Sequence, residues 1–180
     1  MIRSLFALGL AALLGTSAFA ADVKYALTGE NTKITFVGKK PDGKHDGGFK
    51  KLTGNATVTD GKIETLTIEV DIDTDSLYSD NEKLTGHLKQ PDFFGVKDNP
   101  KATFKTTKVE KTDKGYTITG DLMMIGKTKA VSFPATVTEN DGTLNFSADF
   151  SIDRTDWGMN YGKGKIDDKV ALKVALTAKK

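Results

Sequence analysis

The chain has 180 residues, with Lys+Arg 26 against Asp+Glu 24 and no cysteine. The missing cysteine excludes disulfides, a thiolate nucleophile and a lipid-anchoring thiol. The near-neutral balance offers no long-range field for nucleic acid or an anionic membrane. In chain order, residues 1–20 read as a secretory leader: Arg3 is the positive n-region, Leu5 to Leu14 the apolar stretch, and Ala18-Phe19-Ala20 a small-x-small cleavage site. The apolar stretch is too short to span a bilayer well, so no stable membrane insertion is expected. Cleavage after Ala20 would leave one domain, 21–180, free in the periplasm or outside the cell.

That domain is punctuated by period-two alternation of apolar and polar residues, the mark of strands with one dry and one wet face. Strands are expected over 23–28, 32–38, 49–60, 62–73, 101–111, 115–125, 128–139, 143–153 and 168–179, eight if the first two merge. Leu66-Ile68-Val70-Ile72 and Val170-Leu172-Val174-Leu176 show the pattern most cleanly. Turn signals at Asp60-Gly61, Asp113-Lys114-Gly115, Gly126-Lys127 and Asn140-Asp141-Gly142 supply the positive φ angles of tight hairpins. The fold expected is all-β, an eight-stranded antiparallel barrel whose dry faces meet inside.

Two stretches break the alternation. Gly38 to Gly48 is polar and rich in breakers, and is expected as a mobile loop at the barrel mouth. Residues 76–100 hold Ser79-Asp80-Asn81-Glu82, which fits a capping box, then a short helix to about Leu88, a stop at Pro91, and Phe93-Phe94 in a turn. This helix and turn, about 79–95, would plug one end of the barrel.

Few residues invite chemistry. Asp71, Asp73, Asp75 and Glu82 have the spacing of a calcium loop, but Ser76 stands where glycine is required and strand parity runs through Ile72, so no metal site is assigned. His45 and His87 lack partners at metal spacing, and His87 is read as packing or hydrogen bonding. No acid, base and nucleophile converge, so no enzyme is expected. Arg154 is the sole arginine after the leader and continues the inward parity of Leu144 to Ile152. It can be a backbone clamp or ion pair at a strand end, or a contact to a ligand head group. Inward phenylalanines are core by default; in a barrel of this size they become pocket lining only if side chains fail to fill it.

Three blocks resemble the YceI-like family of exported lipid- or polyisoprenoid-binding proteins. His87-Leu88-Lys89-Gln90-Pro91-Asp92-Phe93-Phe94-Gly95-Val96, continuing to Asn99-Pro100-Lys101-Ala102-Thr103-Phe104, resembles the family's HLKSPDFFDV…PTATF signature. Gly120 to Lys129 is similar to its G-x-L-T-I-x-G-x-T-K hairpin, and Ile152 to Gly158 to its I-x-R-x-D-[FW]-G turn. The family often has an Arg-Asp pair before the His-Leu, where this chain has Leu84-Thr85. The resemblance implies a lipocalin-like barrel holding an isoprenoid- or quinone-like lipid in an apolar tunnel, as a periplasmic carrier or store with no cofactor beyond that lipid. The expected lining is Phe36, Ile68, Val70, Phe93, Phe94, Phe104, Ile118, Leu122, Met124, Phe133, Phe146, Phe150, Arg154, Trp157 and Leu172. The rival is a stress-response structural or interaction module with a filled barrel. Partners are limited to that small molecule, with a homodimer left open.

Overall fold

The computed structural model describes residues 21–180, so the expected leader lies outside the described residues. Eleven strands form one antiparallel sheet: β1 (Asp22–Thr28), β2 (Thr32–Lys40), β3 (Gly43–Phe49), β4 (Leu52–Thr59), β5 (Lys62–Asp73), β6 (Leu77–Ser79), β7 (Lys101–Thr112), β8 (Gly115–Met124), β9 (Lys127–Asn140), β10 (Thr143–Asp153) and β11 (Lys169–Lys179). Their order across the sheet is β1-β4-β5-β7-β8-β9-β10-β11-β2-β3-β6. The sheet curls strongly into a half-barrel. β1 returns beside the end of β11, where the Thr177 amide donates to the Asn31 carbonyl at 3.0 Å.

The count is therefore eleven strands, not eight. Alternation located nine of them to within a few residues; the exception is 49–60, which divides into the end of β3 and β4. The two additional strands lack the apolar signal. β3 carries Lys44, His45, Asp46, Gly47 and Gly48, yet pairs with β2 from Ile34↔Phe49 to Lys40↔Gly43. The expected mouth loop at 38–48 is thus a hairpin turning at Pro41 and Asp42. β6 has three residues, too few to show a period, and extends the sheet by pairing with Gly47 to Phe49.

Three hairpins use left-handed residue pairs: Asp60-Gly61 (φ 55 and 65), Ile125-Gly126 (φ 48 and 69) and Asp141-Gly142 (φ 49 and 69). Positive φ at both positions matches the twist of the flanking strands. The third expected turn begins one residue early, on Ile125, whose β-branched side chain packs against the core and holds it in a conformation such residues rarely adopt. The helix, α1 (Glu82–Leu88), is capped by Asn81, whose Oδ1 accepts from the Leu84 amide at 2.9 Å. Ser79, expected as the cap, instead bonds the Asn81 backbone.

The inner face divides along the strands. At one end Tyr25, Val58, Leu66, Ile118 and Leu144 are fully buried in solid packing. At the other end α1, its following turn and the segment 158–168 cover the sheet. Arg154 holds that segment. It follows β10 in a 3-10 turn and is 4% exposed. Its Nε donates to the Asp167 carbonyl (3.1 Å), Nη1 to the carbonyls of Met159 and Tyr161, and Nη2 to the Ile166 carbonyl (3.3 Å) and Asp168 Oδ1 (3.2 Å). All five guanidinium N–H groups are thereby used.

Two predictions follow from this packing. Lysine has three donors and no fork, so Arg154→Lys leaves buried carbonyls unpaired and should cost about 3 kcal/mol. Denaturant unfolding would read that loss, and hydrogen exchange should show it as lost protection in 158–168. At the solid end the Tyr25 hydroxyl donates to Glu139 Oε1 at 2.9 Å. Burial, then that carboxylate, push the Tyr25 pKa from 10.0 up to about 12. The folded state keeps a proton that the unfolded chain releases, so stability should fall as pH rises from about 10 to about 12. Tyr25→Phe should remove this alkaline limb and cost about 1 kcal/mol at neutral pH, as measured by urea midpoints at neutral pH and about pH 11.

Candidate functional site

The covered end of the half-barrel encloses a cavity of about 250 Å³. It exceeds the ~150 Å³ apolar void that is known to stay dry and accept a benzene ring. Inward positions of the central strands make its wall: Ile68 and Val70 on β5, Phe104 on β7, Leu122 and Met124 on β8, Phe133 on β9, Phe146 and Phe150 on β10, Leu172 on β11 and Phe36 on β2. Phe93 and Phe94 reach it from the turn after α1, and Arg154 from the end of β10. Among the residues expected to line the interior, two do not. Ile118 lies below the cavity in the solid end. Trp157 is buried behind the wall, where its Nε1 donates to the Leu122 carbonyl at 3.1 Å and ties the 3-10 turn to β8.

Several lining residues were not anticipated. Leu84 and Leu88 come from one face of α1 at the i,i+4 spacing, a signal present in the sequence. Phe49, Met159 and Ile166 carry no such signal: Phe49 ends a strand without alternation, and the other two sit in a polar, glycine-rich segment that only Arg154 folds inward.

The phenylalanines form two chains. Phe104 meets Phe133 at 5.8 Å between ring centroids, and Phe133 stacks on Phe150 at 4.1 Å and 8°. Phe36 meets Phe49 at 6.2 Å, and Phe49 meets Phe94 edge-on at 5.6 Å and 81°. Offset and edge-on aromatic contacts of this kind hold rings in place beyond their area burial.

Besides the buried Thr32 and Arg154, the polar residues adjoining the cavity are Lys39, Lys40, His45 and Asp167, which form its rim. His45 Nδ1 lies 2.9 Å from Asp80 Oδ1. The Asp46 amide, then His45, hold the Asp80 carboxyl below the usual carboxylate range. This pair joins the edge of β3 to the start of the plug. His87 sits 3.3 Å from Asp92 and packs edge-on against Phe93 (5.1 Å) and Tyr161 (4.7 Å), so its ring joins the plug to segment 158–168. Arg154 has no donor left for a head group. The calcium-like spacing is strand, 3-10 turn and strand; Asp71 pairs with Lys101 and Asp75 with Lys89. Among the described residues no three His, Cys, Asp or Glu side chains cluster as a metal set, and no helix is long and apolar enough to cross a membrane.

The chain's relatives share this architecture. A UPF0312 protein of Pseudomonas putida (strain GB-1) is 32% identical over 190 residues, covering 98% of this chain and 97% of that protein. The crystal structure of Burkholderia cenocepacia BcnA superposes with a TM-score of 0.75 at 26% identity, over 82% of this chain and 96% of that one. A polyisoprenoid binding domain from Saccharophagus degradans implicated in plant cell wall breakdown superposes with a TM-score of 0.68 over 87% of this chain and 98% of that one. At 13% identity this match speaks for the fold alone. The YceI-like domain model matches residues 25–178, from β1 to the last residues of β11. With that match added to the signature blocks and the curled sheet, the chain belongs to the YceI-like domain family.

Proposed function

We propose that this protein binds a long apolar or amphiphilic small molecule, an isoprenoid- or quinone-like lipid, and acts as an exported carrier or store rather than as a catalyst. The observation that carries this reading is the cavity of about 250 Å³ behind the plug, walled by phenylalanine, leucine, isoleucine, valine and methionine. Removing an alkyl or prenyl chain from water yields about 25 cal/mol per Å² of apolar surface buried. Met124 adds a polarisable side chain that adjusts to an uneven contour. The rim groups suit a polar end left near water. The polyisoprenoid-binding character of the Saccharophagus domain is consistent with such a ligand.

The hollow end also weighs against a module that acts only through its surface, because a filled barrel would gain the dispersion contacts that this wall forgoes. Native mass spectrometry of protein purified without detergent should show an added lipid mass, and stripped protein should regain it from a polyprenyl or quinone ligand. A clean apo spectrum with no titratable binding would refute the proposal.

A pair of equal substitutions reads the division of the core. Leu144→Ala, in the solid end, should cost about 3–5 kcal/mol and leave ligand affinity unchanged. Leu172→Ala, at a half-buried position beside the cavity, should cost about 2 kcal/mol, the low end for such truncations, and should weaken binding instead. Equal stability losses in chemical denaturation would point to one uniformly filled core.

A further inference from the structure

Each aromatic chain on the cavity wall ends on a glycine. Gly120 occupies an inner-face position of β8, between the buried Ile118 and Leu122. A Cβ there would stand 2.4 Å from Phe104 Cζ and 2.6 Å from its Cε2. Gly47 occupies an inner-face position of β3, directly opposite Phe36 in the ladder. A Cβ there would stand 2.4 Å from Phe36 Cζ, 2.6 Å from the Tyr78 carbonyl oxygen and 2.7 Å from Phe36 Cε2. Real side chains do not approach so closely, so the outer edge of each ring reaches over backbone that is bare because the residue is glycine. Both φ angles are outside the left-handed region, as neither glycine is among the positive-φ residues. Here the glycines serve for space and not for backbone conformation. Glycine in a strand interior costs stability and commonly marks a close approach. At these two positions the approaching group is a ring that also lines the cavity.

Resting on the carrier reading above, we infer that Gly47 and Gly120 set the bore of the cavity and thereby its choice among apolar chains. With glycine beneath them, Phe36 and Phe104 lie against the wall. With a methyl group beneath them, each ring must tilt into the lumen. Phe104 is the outer member of the Phe104–Phe133–Phe150 chain, and Phe36 of the Phe36–Phe49–Phe94 chain. A tilt at either ring would therefore narrow a wall its neighbours hold in place. The ligands affected most are those of large cross-section. A methyl-branched prenyl chain needs the wide bore, whereas an unbranched alkyl chain passes a narrower one. The two glycines are thus specificity-determining positions for branched over linear chains.

The test compares geranylgeraniol with cetyl alcohol, which share a main-chain length and differ in methyl branches and unsaturation; phytanol, branched but saturated, separates the two differences and should follow geranylgeraniol. Affinities are read by displacement of N-phenylnaphthylamine from delipidated protein. Gly120→Ala should weaken geranylgeraniol at least about tenfold, the scale on which a pocket discriminates methyl-sized groups, and leave cetyl alcohol within about threefold. Adding Phe104→Leu to that variant should restore geranylgeraniol binding. A Cβ at Gly120 would also meet the Lys105 carbonyl at 2.6 Å, so Gly120→Ala can fail to fold. Phe104→Leu and Phe36→Leu in the native background keep both glycines and widen the bore. They should widen the gap between the two affinities by loosening the grip on the linear chain, with geranylgeraniol still bound. If the variants move both ligands equally, or neither, the inference is overturned while the carrier reading stands. If the native protein binds neither alcohol, the carrier reading falls and this inference with it.

Discussion

The constraint on which the rest of the molecule depends is geometric. A sheet curled this far presents more inward surface at one end than its own side chains can fill. At the other end Tyr25, Val58, Leu66, Ile118 and Leu144 meet in the middle and exclude everything else. There the strands supply dense packing, and the domain has no disulfide to supplement it. Above that base the same alternation continues through Ile68-Val70-Ile72, Leu122-Met124 and Val170-Leu172-Val174, but the side chains point into a void. One sequence pattern thus produces two physical outcomes, and the solid half offsets the contacts that the hollow half lacks.

An open apolar mouth would be a liability on a monomeric surface, and the structure closes it with two segments that have little core of their own. The plug begins at Asn81 and carries Leu84, Leu88, Phe93 and Phe94 inward. It is anchored where the Thr74 hydroxyl donates to the Asn99 carbonyl at 2.6 Å. Segment 158–168 contributes Met159 and Ile166, and Arg154 organises it by collecting four backbone carbonyls and one carboxylate. A lone arginine in a lysine-rich chain is explained by that task, since only a planar guanidinium serves five acceptors from one buried point. The two covers touch through His87 and Phe93 on one side and Tyr161 on the other. Tyr161 is the one large apolar side chain left exposed among the described residues. Ile166 adds an apolar contact by packing against the buried cluster of Leu77, Leu88 and Phe93, so the two covers are joined over the cavity by rings and by core.

Much of this was legible in the sequence because burial on a strand leaves a period of two. The long strands were found that way, and the cavity residues they carry belong to inward series that alternation marked. What escaped notice did so for identifiable reasons. β3 reads as a loop because its inner positions are His45, Gly47 and Phe49, and the middle one is empty so that Phe36 can occupy it. Ile118 shares parity with Leu122 but not depth, and parity says nothing of how far along the axis the solid base extends. Trp157 looked like a mouth residue from its place beside Arg154, yet it packs behind the wall and bonds a β8 carbonyl. Met159 and Ile166 became lining only through a fold imposed by a side chain 5 and 12 residues away, Arg154, which no local pattern encodes.

The glycines complete this picture, because they are where the usual rule for strands is reversed. Filling a β-sheet interior ordinarily rewards β-branched or aromatic residues at every inward position. Here an inward position is left bare in β3 and again in β8, and in each case an aromatic ring from a neighbouring strand lies over the gap. A solid core has no use for that substitution: a valine at Gly120 and a smaller residue at Phe104 would fill the same volume with less backbone cost. Placing the bulk on Phe104 and the absence on Gly120 sets an aromatic ring over bare sheet backbone at the cavity wall. A surface of that kind is useful only to something that lies against it.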